Sequence, residues 1–363
     1  MSNKNLVICC DGTWNRLDAQ HPTNVVKLAV NVLPQAQDGR SQIVFYDEGV
    51  GTGTGPLHWA SNVIEGAIGA GLDANIQDAY RFLIFNYSPG DRIYIIGFSR
   101  GAYTARSLAG LIRKCGILPR KHAQAAGDAM AFYRRRDAKP LPLDAHLAAS
   151  LVPQTEEKYK EAEQFLREHE CLRPEIDFLG VWDTVGALGV PPKFRFAQFL
   201  NKGNQFHDTD LSRLVKYACH AVSIDDMRVA FKPALWSPDS MAGRFTVFQE
   251  WFPGVHTNVG GGNELRGLSD GAFAWMVGHA QAVGLEVAPE VLKPPRLEPD
   301  DMDPIDRRVR HGAADVAGWA YLTVGKKWRE IPADAVYSRF ARDKWRDDRS
   351  YRPANVDKAR IEG

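Results

Sequence analysis

The chain has 363 residues, enough for two average domains or for one large α/β domain carrying an insertion. Lys and Arg total 45 against 44 Asp and Glu, a formal net charge of +1, which argues against a nucleic-acid coat that works through a basic surplus. With 44% hydrophobic and 25% charged residues, disorder throughout the chain is excluded. The five cysteines, Cys9, Cys10, Cys115, Cys171 and Cys219, contain no C-x-x-C pair. Free thiols are therefore expected, not a zinc knuckle or a disulfide framework. No run approaches the roughly 20 apolar residues that span a bilayer, and no signal peptide precedes the first apolar run, so a cytoplasmic protein is expected.

Buried strands are predicted at Leu6-Val-Ile-Cys-Cys10, Ile43-Val-Phe-Tyr46 and Arg92-Ile-Tyr-Ile-Ile-Gly97. Further strands are predicted over residues 176–182 and 245–252. Their apolar runs are continuous, which suits a parallel sheet covered on both faces. Helical patterns fall between them, over 25–33 and 59–85. A third follows residue 99, where Ala102, Ala105, Leu108, Ala109 and Ile112 recur at helical spacing and Gly116 is the expected cap. Strand and helix alternate, so the fold class is α/β with a mainly parallel central sheet and helices on both faces. Residues 1–363 read as one domain. Within it, residues 118–175 hold Pro119, Pro140, Pro142 and Pro153 and read as a helical insertion, a candidate lid with Phe132, Tyr133, Phe165 and Leu166 on its underside. Residues 286–312 read as a surface excursion. Gly49-Val-Gly-Thr-Gly-Thr-Gly55 lacks the lysine of a phosphate loop and reads as a rim loop.

Gly97-Phe-Ser99-Arg-Gly101 fits G-x-S-x-G, with a strand ending before it and a helix starting after it. In that setting the serine sits on a sharp turn above the sheet edge. The N–H of Arg100, at the positive end of the helix, is then an oxyanion donor. The bland alternative is a serine that only caps its helix. A serine nucleophile needs a base held by an acid. His256 lies past an apolar run and inside the glycine-rich loop Trp251-Phe-Pro-Gly-Val-His256-Thr-Asn-Val-Gly-Gly-Gly262, where a base can reach over the edge. Asp183 follows Phe178-Leu-Gly-Val-Trp182 and is the favoured acid. Asp225 and Asp226, read as following a helical stretch, and Asp270, a candidate cap for a helix over 271–282, are its rivals. Gly12, or its neighbour Thr13, in Asp11-Gly-Thr-Trp-Asn15 is nominated as the second oxyanion donor.

Together Cys10-Asp-Gly-Thr-Trp-Asn15, Gly97-Phe-Ser-Arg-Gly-Ala-Tyr-Thr-Ala-Arg106, Gly180-Val-Trp-Asp-Thr-Val-Gly186 and the segment around His256 resemble the DUF2235 family, whose members include Tle1-like phospholipase effectors of type VI secretion. His220-Ala-Val-Ser-Ile-Asp-Asp226 with Arg228, Phe231, Pro233 and Trp236 extends the likeness, as do Tyr337-Ser-Arg and Tyr351-Arg-Pro. The resemblance implies an α/β-hydrolase fold and a triad at the positions of Ser99, Asp183 and His256. It also implies hydrolysis of the acyl chains of phospholipids, with peripheral membrane contact, an immunity or secretion partner, and signal-independent export. A soluble carboxylesterase and a non-catalytic hydrolase-fold binding module are the alternatives. No cofactor and no required metal are expected, although Asp11, Asp47, Asp225 and Asp226 are of a type that can ligate a hard cation.

Overall fold

The computed structural model describes residues 3–12, 15, 17–49, 65–135, 137–148, 150–151, 153, 156–186, 210–292 and 327–363. The expected Thr13, residues 50–55 of the rim loop and residues 293–312 lie outside them.

The centre is a parallel sheet of β1 (Lys4–Cys10), β2 (Ser41–Asp47), β3 (Arg92–Phe98), β4 (Ile176–Trp182), β5 (Val215–Ser223), β6 (Val247–Phe252) and β7 (Val336–Tyr337). Their order is β2-β1-β3-β4-β5-β6-β7, with every pair parallel. The helices are α1 (Asn24–Asn31), α2 (Glu65–Asn86), α3 (Arg100–Cys115), α4 (Ala126–Arg134), α5 (Leu143–Leu147), α6 (Glu157–Glu168), α7 (Pro238–Met241), α8 (His256–Gly260), α9 (Gly267–Ala282), α10 (Arg339–Asp347) and α11 (Lys358–Glu362). The architecture is α/β-hydrolase-like, as expected.

Continuous apolar runs form the strands because both faces are covered. On one face Leu6, Ile8 and Cys10 join Ile93 and Ile95 against α2 and α3. On the other, Val7 and Cys9 join Tyr94, Ile96 and Phe98 against α1 and α9. Each such buried aliphatic side chain contributes roughly 1.5–3 kcal/mol. The connection from β1 leads outward to β2, and β3 lies on β1's other side. The loops after β1 and β3 therefore diverge at a topological switch point, where open α/β sheets leave a crevice.

Three parts of the sequence reading need correction. The stretch before Asp225 is not helical but forms β5. It lies between β4 and β6, and Ala218, Cys219, Ala221 and Val222 are wholly buried, so tertiary cover overrides the helix propensity of its alanines. Helix α9 starts at Gly267, which places Asp270 inside its first turn, paired with Lys27 at 2.5 Å. Residues 286–288 are not a surface excursion: Val287 is buried and bridges Val32, and Leu33 N–H donates to Glu286 O at 3.0 Å.

The insertion packs on the back half of α3. Phe132, Phe165 and Leu166 are buried in the α2–α3 core cluster, with the rings of Phe132 and Phe165 stacked at 5.1 Å. Lys114 Nζ lies 4.9 Å from the Phe132 ring centre. Ile117 and Leu172 exchange two 2.7 Å backbone hydrogen bonds where the insertion leaves and rejoins the domain. The apolar side expected as the underside of a lid thus faces α3, with Tyr133 against Gly110, roughly 16 Å along the helix from Ser99.

Candidate active site

Ser99 joins β3 to α3 with φ 59° and ψ −120°, a left-handed conformation that a non-glycine residue adopts only under constraint. The constraint is close packing. A Cβ on Gly97 would come within 2.4 Å of Gly101 O, and one on Gly101 within 2.1 Å of Cys10 O. Both glycines let the helix start directly over the strand ends. The Ser99 side chain makes no hydrogen bond to the α3 N-terminus, so it does not cap its helix. Its Oγ lies 2.8 Å from His256 Nε2 instead.

Asp183 stands beside it because Phe98 and Trp182 are paired across β3 and β4. Ser99 N–H donates to Trp182 O at 3.1 Å, and Asp183 N–H to Ala221 O at 2.7 Å. Asp183 also has positive φ, 38°. His256 arrives from β6, two strands further on. It opens the short helix α8, not a loop as the glycines suggested. The three glycines after it still serve: a Cβ on Gly260 would meet the Phe98 ring at 1.9 Å, while Gly261 and Gly262 have φ of 83° and 98°. His256 Nδ1–H donates to Asp183 Oδ2 at 2.5 Å. Asn258, two residues on, accepts Val255 N–H at 3.0 Å and so closes the turn into α8.

Burial pushes the His256 imidazole below its ordinary pKa, with the Asp183 contact working against that shift. The ring is therefore neutral near pH 7, with Nε2 ready to accept a proton. Burial alone would raise the Asp183 carboxyl, but the Arg329 guanidinium and the His256 contact outweigh it and hold it well below the usual carboxylate range. The rival carboxylates have other partners. Asp226 Oδ2 accepts His256 N–H at 3.1 Å and pairs with Arg228 at 2.5 Å. Asp225 accepts Gly254 N–H at 2.6 Å and Tyr351 OH at 3.0 Å, and burial raises its pKa to about 6. All three aspartates lie at one edge; only Asp183 faces the imidazole.

Gly12 lies against the serine: a Cβ there would sit 3.2 Å from Ser99 Cβ. Its N–H, however, donates to Asp11 Oδ1 at 2.7 Å. Asp11 also accepts Asn15, Thr23 and Tyr46, and burial raises it to about 6 despite these donors. Arg100 N–H is the first amide of α3, at the positive end of the helix dipole. Among the described residues no three His, Cys, Asp or Glu side chains gather as metal ligands would. A cavity of about 690 Å³ opens among Arg106, Arg113, Lys114, Lys139 and Arg213, but Ser99, Asp183 and His256 do not line it.

Three neighbours have no local signature in the sequence. Arg329 grips Asp183 through both carboxylate oxygens, at 2.6 and 2.9 Å. The Phe231 ring stands edge-on to His256 at 4.9 Å. His220, buried and lowered to about 3 by that burial, accepts Thr184 N–H at 3.3 Å and so supports the turn that begins at Asp183. Phe231 and His220 belong to the run that carried the family likeness; Arg329 lies in Lys327-Trp-Arg-Glu330, which reads as surface.

Residues 4–279 match the model of a family described as type VI secretion system, phospholipase effector Tle1-like, catalytic domain. An uncharacterized protein of Saccharomyces cerevisiae (strain ATCC 204508 / S288c), YEL023C, is 31% identical over 248 residues, which is 65% of this chain. The match covers 33% of the yeast protein, so the chain spans about a third of that relative's length. An uncharacterized protein from Pseudomonas aeruginosa, solved by crystallography, aligns with TM-score 0.41 and 17% identity over 83% of this chain and 48% of its own. The Tle1 effector, solved bound to the VgrG spike of the type VI secretion system, aligns with TM-score 0.39 and 20% identity over 73% of this chain and 52% of its own.

Proposed function

The chain belongs to the family of Tle1-like phospholipase effector catalytic domains, and from that premise we propose that it is a serine hydrolase that cleaves acyl esters of phospholipids. Ser99 is the nucleophile, His256 the general base and acid, and Asp183 the carboxylate that fixes the imidazole. The observation that carries this reading is the unbroken contact from Ser99 Oγ to His256 Nε2 at 2.8 Å and from His256 Nδ1 to Asp183 Oδ2 at 2.5 Å. It is made by a serine in a strained conformation that does not cap its helix.

Ser99 Oγ attacks the ester carbonyl carbon while its proton passes to His256 Nε2. The carbonyl oxygen becomes an oxyanion, which Arg100 N–H stabilises at the start of α3. The Gly12 amide is engaged with Asp11, so the second donor is proposed to be the N–H of Thr13. When the tetrahedral intermediate collapses, the proton on His256 goes to the leaving lysolipid alkoxide and an acyl-serine remains. Water then attacks the acyl carbon, giving its proton to His256, and fatty acid and Ser99 are released. The buried anionic Asp183 stabilises the imidazolium that forms in each half-reaction.

A fluorophosphonate probe tests the nucleophile, and fatty-acid release from phospholipid vesicles tests the substrate. Labelling is expected at Ser99, with S99A both unlabelled and inactive. Labelling at another residue, with S99A still releasing fatty acid, would falsify the assignment. Wild-type turnover of short-chain esters without release from vesicles restricts the substrate to soluble esters.

A further inference from the structure

Resting on the serine-hydrolase reading above, we propose that Arg329 is a positioning residue of the active site, and that the stretch carrying it, residues 327–363, is an obligate part of the catalytic unit although it lies beyond residues 4–279. The guanidinium is buried, with a side-chain exposure of 3%. Nη1 donates to Asp183 Oδ1 at 2.6 Å and to Ser223 O at 2.9 Å. Nη2 donates to Asp183 Oδ2 at 2.9 Å and to Phe231 O at 2.7 Å. A planar fork that meets both oxygens of a carboxylate stops it rotating about its own bond, which a single contact does not do. Ser223 N–H closes the arrangement by donating to Asp183 Oδ1 at 2.9 Å. The Oδ2 oxygen is thus held towards His256, and the Phe231 carbonyl is tied to the same fork while its ring flanks the imidazole.

The arginine is itself held by the segment that follows it. Asn355 Nδ2 donates to Arg329 O at 3.2 Å and to Ile224 O at 3.0 Å. Lys327 N–H donates to Met227 O at 3.0 Å. β7 pairs with β6, and Tyr337, Trp345 and Tyr351 share a buried cluster with Val222, Ile224 and Trp251. Tyr351 also reaches Asp225, which in turn holds Gly254 two residues before His256.

Charge gives the role a readout that a merely structural contact lacks. Among the described residues, the ion pairs beside the imidazole are Asp183 with Arg329 and Asp226 with Arg228; Asp225 lies behind with Tyr351, and His220 is neutral. These two ion pairs balance. Removing the Arg329 cation leaves one negative charge in excess beside His256, so His256 binds its proton more readily.

The test uses the 363-residue wild type, R329K and R329Q. The His256 titration is followed by ¹⁵N-imidazole NMR, its signal assigned by loss in H256Q, and the Ser99 labelling rate is measured against pH. R329Q is expected to raise the His256 midpoint by roughly one pH unit and to slow labelling by about a hundredfold. R329K keeps the charge without the fork, so a near-wild-type midpoint with slowed labelling is expected. Folded R329Q with the wild-type midpoint and labelling rate overturns the proposal. If R329Q does not fold, R329K decides, and wild-type labelling in that variant overturns it. If the wild type is not labelled at Ser99, the hydrolase reading fails, and the His256 midpoint alone then judges whether Arg329 governs the Asp183–His256 pair.

Discussion

Helix α3 joins two environments. At its N-terminal end stand Ser99 with φ 59° and Asp183 with φ 38°, beside the buried ion pairs of Asp183 and Asp226. At its other end, roughly 24 Å along its axis, Gly116 closes the helix and the insertion lays Phe132, Phe165 and Leu166 on it. There the basic side chains reach backbone carbonyls, with Arg113 donating to Leu141 O and Lys114 to Arg135 O. The front holds strain and uncommon backbone angles at the proposed nucleophile and its acid, and the back holds ordinary close packing. Changes at the two ends should therefore separate activity from stability.

The largest expected effect is at the front. S99A should lower ester turnover by at least roughly 10⁴-fold while shifting the unfolding free energy by less than about 1 kcal/mol; initial rates and urea melts measure the two. At the back the order reverses. F165A removes a buried ring that stacks on Phe132 and should cost about 3–5 kcal/mol of stability. The ratio of long-chain to short-chain ester turnover should stay as in the wild type. A shift of that ratio towards short chains would return the insertion to the role of a cover over the site.

The back also holds His146, buried, lowered to about 3 by that burial with Arg113 and Arg173 adding to it, and with neither ring nitrogen hydrogen-bonded. Its folded pKa lies below the unfolded value of about 6.5, so the unfolded chain takes up the proton first. Stability is lost as pH falls from about 6.5 towards 3. H146L should therefore gain about 2 kcal/mol more at pH 5 than at pH 8, read from urea melts at the two pH values. The smallest expected effect sharpens the front. His256 is lowered by burial, so the acid limb of kcat/KM should fall below the ordinary histidine value of 6.5. A limb above that value would mean that the Asp183 contact outweighs burial.

The sheet was legible because its strands are covered on both faces, which writes continuous apolar runs into β1, β2, β3 and β4 within two residues of their ends. β5 is not legible because Val-Lys-Tyr-Ala-Cys-His-Ala-Val-Ser has no run long enough to outweigh its alanines. β7 has only two residues and exists because Tyr337 meets Trp251. The turn at Ser99 was legible in five letters, since Gly97 and Gly101 answer a steric demand that is entirely local. Such demands act within a few residues of the chain, and a sequence records them directly.

Other features needed the tertiary structure. Asp183 and Asp226 both lie at strand ends on one edge, and no local pattern says which meets the Nδ1 side of His256. That is decided by the pairing of β3 with β4 and by the turn of α8, which gives the ring to Asp183 and the backbone N–H to Asp226. The glycine of Asp11-Gly12 is visible in the sequence, but the direction of its amide is not, and it points to Asp11. Arg329 is the furthest from legible. It meets Asp183 across 146 residues, and an arginine between a tryptophan and a glutamate looks like any solvated side chain. Its partner is chosen by long-range packing alone, because the pull between two buried charges depends on where the fold brings them and leaves no mark on the residues beside either one.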